Sequence, residues 1–115
     1  MNAVKTPDGY ITTKEIYRYY LPAPIPIGYE YDGATYPKWI TWLKVLVLIF
    51  APKLDLTDAV IIHDWLYQHR NKHKYSRYYV DNVVFYNELK RYYWSWVANV
   101  ISSVTYKFSK QIWLT

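Results

Sequence analysis

The chain has no cysteine, which rules out a disulfide framework and any thiolate metal site and leaves the protein indifferent to the redox state of its compartment. Glycine and proline are scarce and unevenly placed. All three glycines and all six prolines fall at or before Pro52, and Lys53 to Thr115 contains neither. These residues punctuate turns and interrupt helices, so the chain reads as an irregular, strand-bearing first part and a helical second part. Long apolar runs are also missing. The longest, Trp39 to Pro52, is interrupted by Lys44 and falls short of the roughly 20 residues that cross a bilayer. The N-terminal residues lack the charged start, apolar centre and small-residue cleavage site of a signal peptide. No internal repeat or low-complexity segment occurs.

Aromatic residues, in contrast, are abundant at 21%, with fifteen tyrosines and six tryptophans. Such side chains suit cores, interfaces and membrane-proximal faces alike. The net charge of +5 is moderate, and its clearest cluster is His69, Arg70, Lys72, His73 and Lys74, between two apolar segments. That cluster reads as a solvated helix connection, and no nucleic-acid-binding motif accompanies it. The 115 residues suffice for one domain, with residues 1–36 forming a strand and loop part and residues 37–115 a helical part.

Tyr10 to Tyr20, rich in β-branched and aromatic residues, predicts a strand. The proline-rich stretch that follows is extended, because each residue before a proline is pushed out of the helical region. Ile27 to Tyr31 alternates and predicts a second strand pairing with the first, ended by a turn at Asp32-Gly33. Pro37 opens a helix that ends near Ala51. Thr57 and Asp58 suit the start of a helix running to about Arg70, and Ser76 can cap another from Arg77 through at least Trp96. A break at Ser102-Ser103 precedes a last amphipathic segment. The expected class is α+β: a small antiparallel N-terminal sheet packed on three or four C-terminal helices.

His63 and Asp64 stand side by side inside the apolar run AVIIHDWLY, with Tyr67 one turn on. Burying such a pair costs stability unless both groups find partners. His63 and Tyr67 share a helix face, and Asp64 is turned by about 100° from His63. On the next helix Asp81 shares a stripe with Val84, Phe85, Leu89 and Tyr92. With the two helices antiparallel, His63 and Asp81 lie at heights differing by roughly 3 Å. Asp81 can then accept a hydrogen bond from one His63 nitrogen, leaving the other as a base toward water. Asp64 is free for a hard cation such as calcium, with the Asp32 carboxylate and backbone carbonyls around Gly33 as further oxygen ligands. A buried His-Asp pair that only ties a helix to the N-terminal loop is the competing reading. His69 and His73, four apart but without a flanking acid, read as surface histidines.

Two resemblances attach to these residues. IPIGYEYDGATYPKWI, AVIIHDWLY and VDNVVFYNEL, in that order, resemble a phage and prophage family known only as a domain of unknown function. Thr35 stands in that family's serine place and Val80 in its alanine place. The resemblance implies a viral or prophage origin and brings no activity. More narrowly, HDWLYQ and VDNVVFYNEL look like the catalytic helix pair of secreted phospholipase A₂ enzymes. That likeness implies His63 as base, Asp81 as its orienting group, Tyr67 as support and Asp64 as a calcium ligand. The family's disulfides are absent, and its Gly-rich calcium loop has only DGATYP to stand in for it.

The expectation is therefore a phage-encoded protein with a phospholipase-like His/Asp site, acting as a calcium-assisted ester hydrolase. The alternative is a non-enzymatic virion or assembly component (tail, connector or capsid) in which the His-Asp cluster is a structural lock. Such a component would dock on other virion proteins through its aromatic surface, and a third reading is a host-directed factor that meets the lipid of the inner membrane surface through Trp39 to Phe50 or the C-terminal segment. The expected location is the virion or the host cytoplasm.

Overall fold

The computed structural model describes residues 2–33 and 41–114. Strand β1 (Ala3–Thr6) and strand β2 (Gly9–Thr12) form a hairpin with Val4 opposite Ile11, and β3 (Glu30–Tyr31) adds to β2 with Tyr10 opposite Tyr31. The sheet is antiparallel, in the order β1-β2-β3. The expected pairing of the Ile27 to Tyr31 segment with the first predicted strand is present only at Glu30–Tyr31, because Ile27 and Gly28 form a turn, and the first strand too is shorter than its composition suggested. Beyond Thr12 the chain leaves the sheet, and Ile16 and Ile25 form an isolated antiparallel bridge outside it. Strand β1 carries little sequence signal of its own and is held by its partner.

The described helices are α1 (Thr41–Phe50), α2 (Asp58–Gln68), α3 (Arg77–Tyr79), α4 (Phe85–Leu89), α5 (Ser95–Phe108) and α6 (Lys110–Leu114). A π-helical turn, Val80–Val84, joins α3 to α4 without a break in helical backbone. Short 3₁₀ turns cover Leu54–Leu56 and Arg70–Lys72. The predicted opening of α1 at Pro37 lies outside the described residues. Ser76 caps α3 as expected, its hydroxyl accepting from the Tyr79 N–H at 3.1 Å. Thr57 precedes α2, but its hydroxyl donates back to the Leu54 carbonyl at 2.7 Å, so it ties the preceding turn down and does not cap α2.

Two predicted boundaries move. The helix expected to run through Trp96 stops at Leu89, and Tyr92, placed on its inward stripe by sequence, is exposed. The reason is tertiary: α5 packs back on α4 and on the π turn, which one straight helix cannot do. Ser102-Ser103 does not interrupt α5. Ser102 donates to the Asn99 carbonyl and Ser103 to the Asn99 side chain, so both hydroxyls are satisfied on the preceding turn and the helix continues to Phe108.

One core joins both halves. Ile16, Leu21, Ile25 and Tyr31 from the N-terminal part pack with Ile61, Ile62, Leu66, Val80, Leu89 and Ile101 from the helices. Helix α2 lies at its centre. Of its eleven residues only His63, Asp64 and Gln68 escape full burial, so its one polar edge carries the His-Asp pair.

Candidate functional site

The α2 backbone puts His63 and Tyr67 one turn apart on the face toward the π turn, and that turn brings Asp81 to meet them. Asp81 is fully buried. Its Oδ1 lies 2.6 Å from His63 Nε2 and 2.7 Å from the Tyr67 hydroxyl. Its Oδ2 accepts from Ser109 Oγ at 2.7 Å and lies 2.7 Å from the same Tyr67 hydroxyl. Arg77, one turn before Asp81, holds its guanidinium 3.8 Å from Oδ2. A single π-helical turn inside an α-helix is uncommon and recurs at functional sites. Here it carries the acid on which the cluster converges.

The donor pattern decides the histidine tautomer. Arg77 has only donors; it gives one to Ser109 Oγ at 3.0 Å and one to the Tyr106 carbonyl, while stacking 4.1 Å from the Tyr106 ring. The Ser109 proton is thereby directed at Asp81. Burial, reinforced by the Asp81 carboxylate, pushes the Tyr67 phenol well above its ordinary value, so Tyr67 also remains a donor. The Asp81 carboxylate only accepts, and at 2.6 Å it receives a hydrogen bond from His63 Nε2–H. In the neutral imidazole Nδ1 then carries the lone pair. Among the described residues Nδ1 has no hydrogen-bond partner. The ring is held between Tyr67 (centroids 4.4 Å) and Phe85 (4.5 Å), and its side chain is 16% exposed. The result is an oriented imidazole, partly exposed at the surface.

Asp64 faces elsewhere, as its 100° offset requires. Its Oδ2 accepts from the Tyr29 hydroxyl at 2.7 Å and from the Gln68 amide at 3.0 Å. Burial pushes the Asp64 carboxyl above the usual carboxylate range, and the nearby Asp32 carboxylate adds to the rise. The two carboxylates are thus near enough for one to feel the charge of the other. Asp32 is exposed on the turn after β3, beside an open groove of about 340 Å³ lined by Asp8, Glu30, Asp32 and Gln68. Among the described residues no group of three or more carboxylate or imidazole side chains converges on one point. Ala34, Thr35, Tyr36 and Pro37 of the DGATYP segment lie outside the described residues. Gly33 has a packing role besides the one expected of it. Its φ is +92°, and a Cβ there would sit 2.8 Å from the Tyr10 ring and 2.9 Å from the Asp55 carboxyl carbon. No other residue fits that left-handed, crowded position without strain.

Sequence reasoning missed Ser109 and Arg77. Ser109 sits at the α5–α6 junction, 28 residues from Asp81, and no local pattern marks it. Arg77 is four residues before Asp81, a helical spacing that signals a pair once Asp81 is taken as buried. His69 and His73 are not free surface groups. His69 stacks on Trp65 at 4.3 Å with its Nδ1 on the Trp65 carbonyl, and His73 bonds the Leu66 carbonyl and the Tyr75 N–H. Both close the end of α2.

Comparison with curated proteins and with solved structures gives no match. A family model does match, over residues 10–102, a span that holds His63, Asp64, Tyr67, Arg77 and Asp81 and leaves out β1 and Ser109. With most of its length and the whole α2–π turn pairing inside that span, the chain belongs to the DUF1353 family, described as protein of unknown function.

Proposed function

We propose that this protein is a phage- or prophage-encoded ester hydrolase in which His63 is the general base and Asp81 the group that orients it. The supporting observation is the 2.6 Å contact of His63 Nε2 with a fully buried Asp81, which leaves Nδ1 as the basic nitrogen. Water held at Nδ1 gives up a proton as its oxygen attacks the ester carbonyl. The imidazolium so formed is stabilised by Asp81 through Nε2–H. As the tetrahedral intermediate collapses, the same nitrogen returns the proton to the leaving alkoxide. Tyr67 and Ser109 do not touch the reacting atoms; they hold the Asp81 carboxylate in place. Asp64 and Asp32 would hold calcium, which when bound supplies electrostatic stabilisation of the developing oxyanion. Calorimetric titration with calcium, paired with fatty-acid release from a short-chain phospholipid, tests the reading. Wild type is expected to bind and to release acid, and Asp64→Asn to lose both. A wild type that releases no acid at any calcium concentration overturns it.

A second reading is favoured by the completeness of the Asp81 cluster, which ties α2, the π turn and the α5–α6 junction together. On that reading the cluster is a lock in a virion or assembly component. Fixed-stoichiometry recovery with assembled particles, without ester turnover, supports it.

A further inference from the structure

Helix α1 has the wrong surface for a helix in water. Its sequence, TWLKVLVLIF, is apolar on nearly every side, interrupted beyond its first residue only by Lys44, a pattern closer to that of a buried helix. Leu43 is fully buried, and Leu46, Val47 and Phe50 line the seam with Val97, Val100 and Ile101 of α5. The other side is bare: Trp42 is 59% exposed, Leu48 77% and Ile49 63%. The apolar patch continues onto the start of α5, where Trp96 meets Phe50 edge-on at 5.0 Å and Trp94 lies 6.4 Å from Trp96.

The charge around this patch is mostly positive. Between Asp32 and Asp55 the sequence has three lysines and no carboxylate, and none follows Glu88. Exposed Lys5, Lys44 and Lys53 line a groove of about 460 Å³ together with Val47, Leu48 and Pro52. The acid in that groove, Asp55, already accepts from the Tyr10 hydroxyl at 2.9 Å. Lys53 is held in the left-handed region at φ +59°, a costly backbone state for a side chain of its size, and it follows Pro52 directly.

We propose that the outer face of α1, with Trp94 and Trp96, docks on an anionic lipid bilayer. Trp42, Leu48 and Ile49 enter the acyl boundary, the tryptophans sit at headgroup level, and Lys5, Lys44 and Lys53 meet lipid phosphates. Aromatic and aliphatic side chains on one face, with lysines at its edge, are what an interfacial helix requires. Among the described residues no helix is long and apolar enough to cross a membrane, so the contact is lateral. A second copy of the chain fits the face less well. A two-fold pairing through α1 would oppose lysine to lysine with no carboxylate on that segment to answer them. The proposal goes beyond the hydrolase reading and does not require turnover.

Vesicle flotation tests it, using the full chain carrying His63→Asn so that binding is read without hydrolysis. Vesicles of phosphatidylcholine alone are compared with vesicles that also contain phosphatidylglycerol. Flotation with the anionic vesicles and a blue shift of tryptophan emission are expected. Lys44→Gln and Lys53→Gln are each expected to weaken partitioning about fivefold. Leu48→Asp, at a position already in water, keeps the fold and is expected to weaken it at least tenfold. Absence of flotation with anionic vesicles overturns the proposal, as does binding indifferent to both lysines. A dimer in solution that Leu48→Asp dissociates, without vesicle binding, assigns the face to a second copy.

Discussion

The molecule buries acidic groups in two places and treats them differently. At the joint between the N-terminal arm and the helices, Glu88 and Asp58 share Arg18. The guanidinium reaches Glu88 Oε2 at 3.2 Å and Asp58 Oδ2 at 3.1 Å. Tyr20 adds a hydroxyl to Glu88 at 2.8 Å and Asn2 an amide to Asp58 at 2.6 Å. Every partner there is a permanent cation or a neutral donor, and nothing is left to act as a base. Toward the other end of α2, Asp81 has the Arg77 guanidinium nearby at 3.8 Å, but its short contacts are with hydroxyls and an imidazole, the one side chain whose ordinary proton affinity lies near neutrality. Both clusters tie distant segments together. Only the second leaves a basic nitrogen with no partner among the described residues, and that difference separates a staple from a candidate catalytic centre.

Four substitutions sharpen the contrast, from the largest expected effect downward. His63→Asn, measured as ester turnover per folded molecule, is expected to lose about 10²–10⁴-fold while circular dichroism stays unchanged. Arg18→Ala strands two carboxylates that are nearly buried, so chemical denaturation should show a loss on the order of 3 kcal/mol. Its turnover per folded molecule should hold. Ser109→Ala removes one donor from Asp81 and one of the two acceptors of Arg77, which keeps the Tyr106 carbonyl. A loss of about 1–2 kcal/mol in denaturant melts is expected, with turnover reduced less than tenfold.

Asp64→Asn should have the smallest effect on stability, and its sign depends on pH. Burial raises the Asp64 value above that of the unfolded chain, so the folded state holds the proton more tightly. The carboxylate therefore costs stability above the raised value, and the cost vanishes as pH falls to the ordinary carboxylate value of about 4. Thermal melts should show Asp64→Asn at or above wild type near pH 8, with the gain fading toward acid. A gain that persists in acid would contradict the assignment.

The two clusters were not equally legible in the sequence. His63, Tyr67 and Asp81 came from helical spacing, because an i, i+4 pair and two helix heights are local quantities that survive tertiary packing. Arg18, Glu88 and Asp58 were invisible because their contacts depend on how the chain from Leu21 to Ile25 folds back, which proline content marks as extended without aiming it. Ser109 was missed for a related reason. It reaches Asp81 only because α4 ends at Leu89 and α5 returns, and neither glycine nor proline marks that reversal. The sheet was legible at the Tyr10 to Tyr31 pairing, where aromatic residues alternate, and not at β1, a strand fixed by its neighbour.

The most direct test compares His63→Asn with Arg18→Ala in one experiment, measuring ester turnover and unfolding free energy for each. Opposite outcomes are expected: His63→Asn, which withdraws one donor from Asp81, loses only about 1–2 kcal/mol, stays folded and is inactive, whereas Arg18→Ala is destabilised further and active in its folded fraction. A His63→Asn variant that unfolds in proportion to its loss of turnover, or that turns over ester at the wild-type rate, would contradict the claim that His63 is a catalytic base and return it to the structural core.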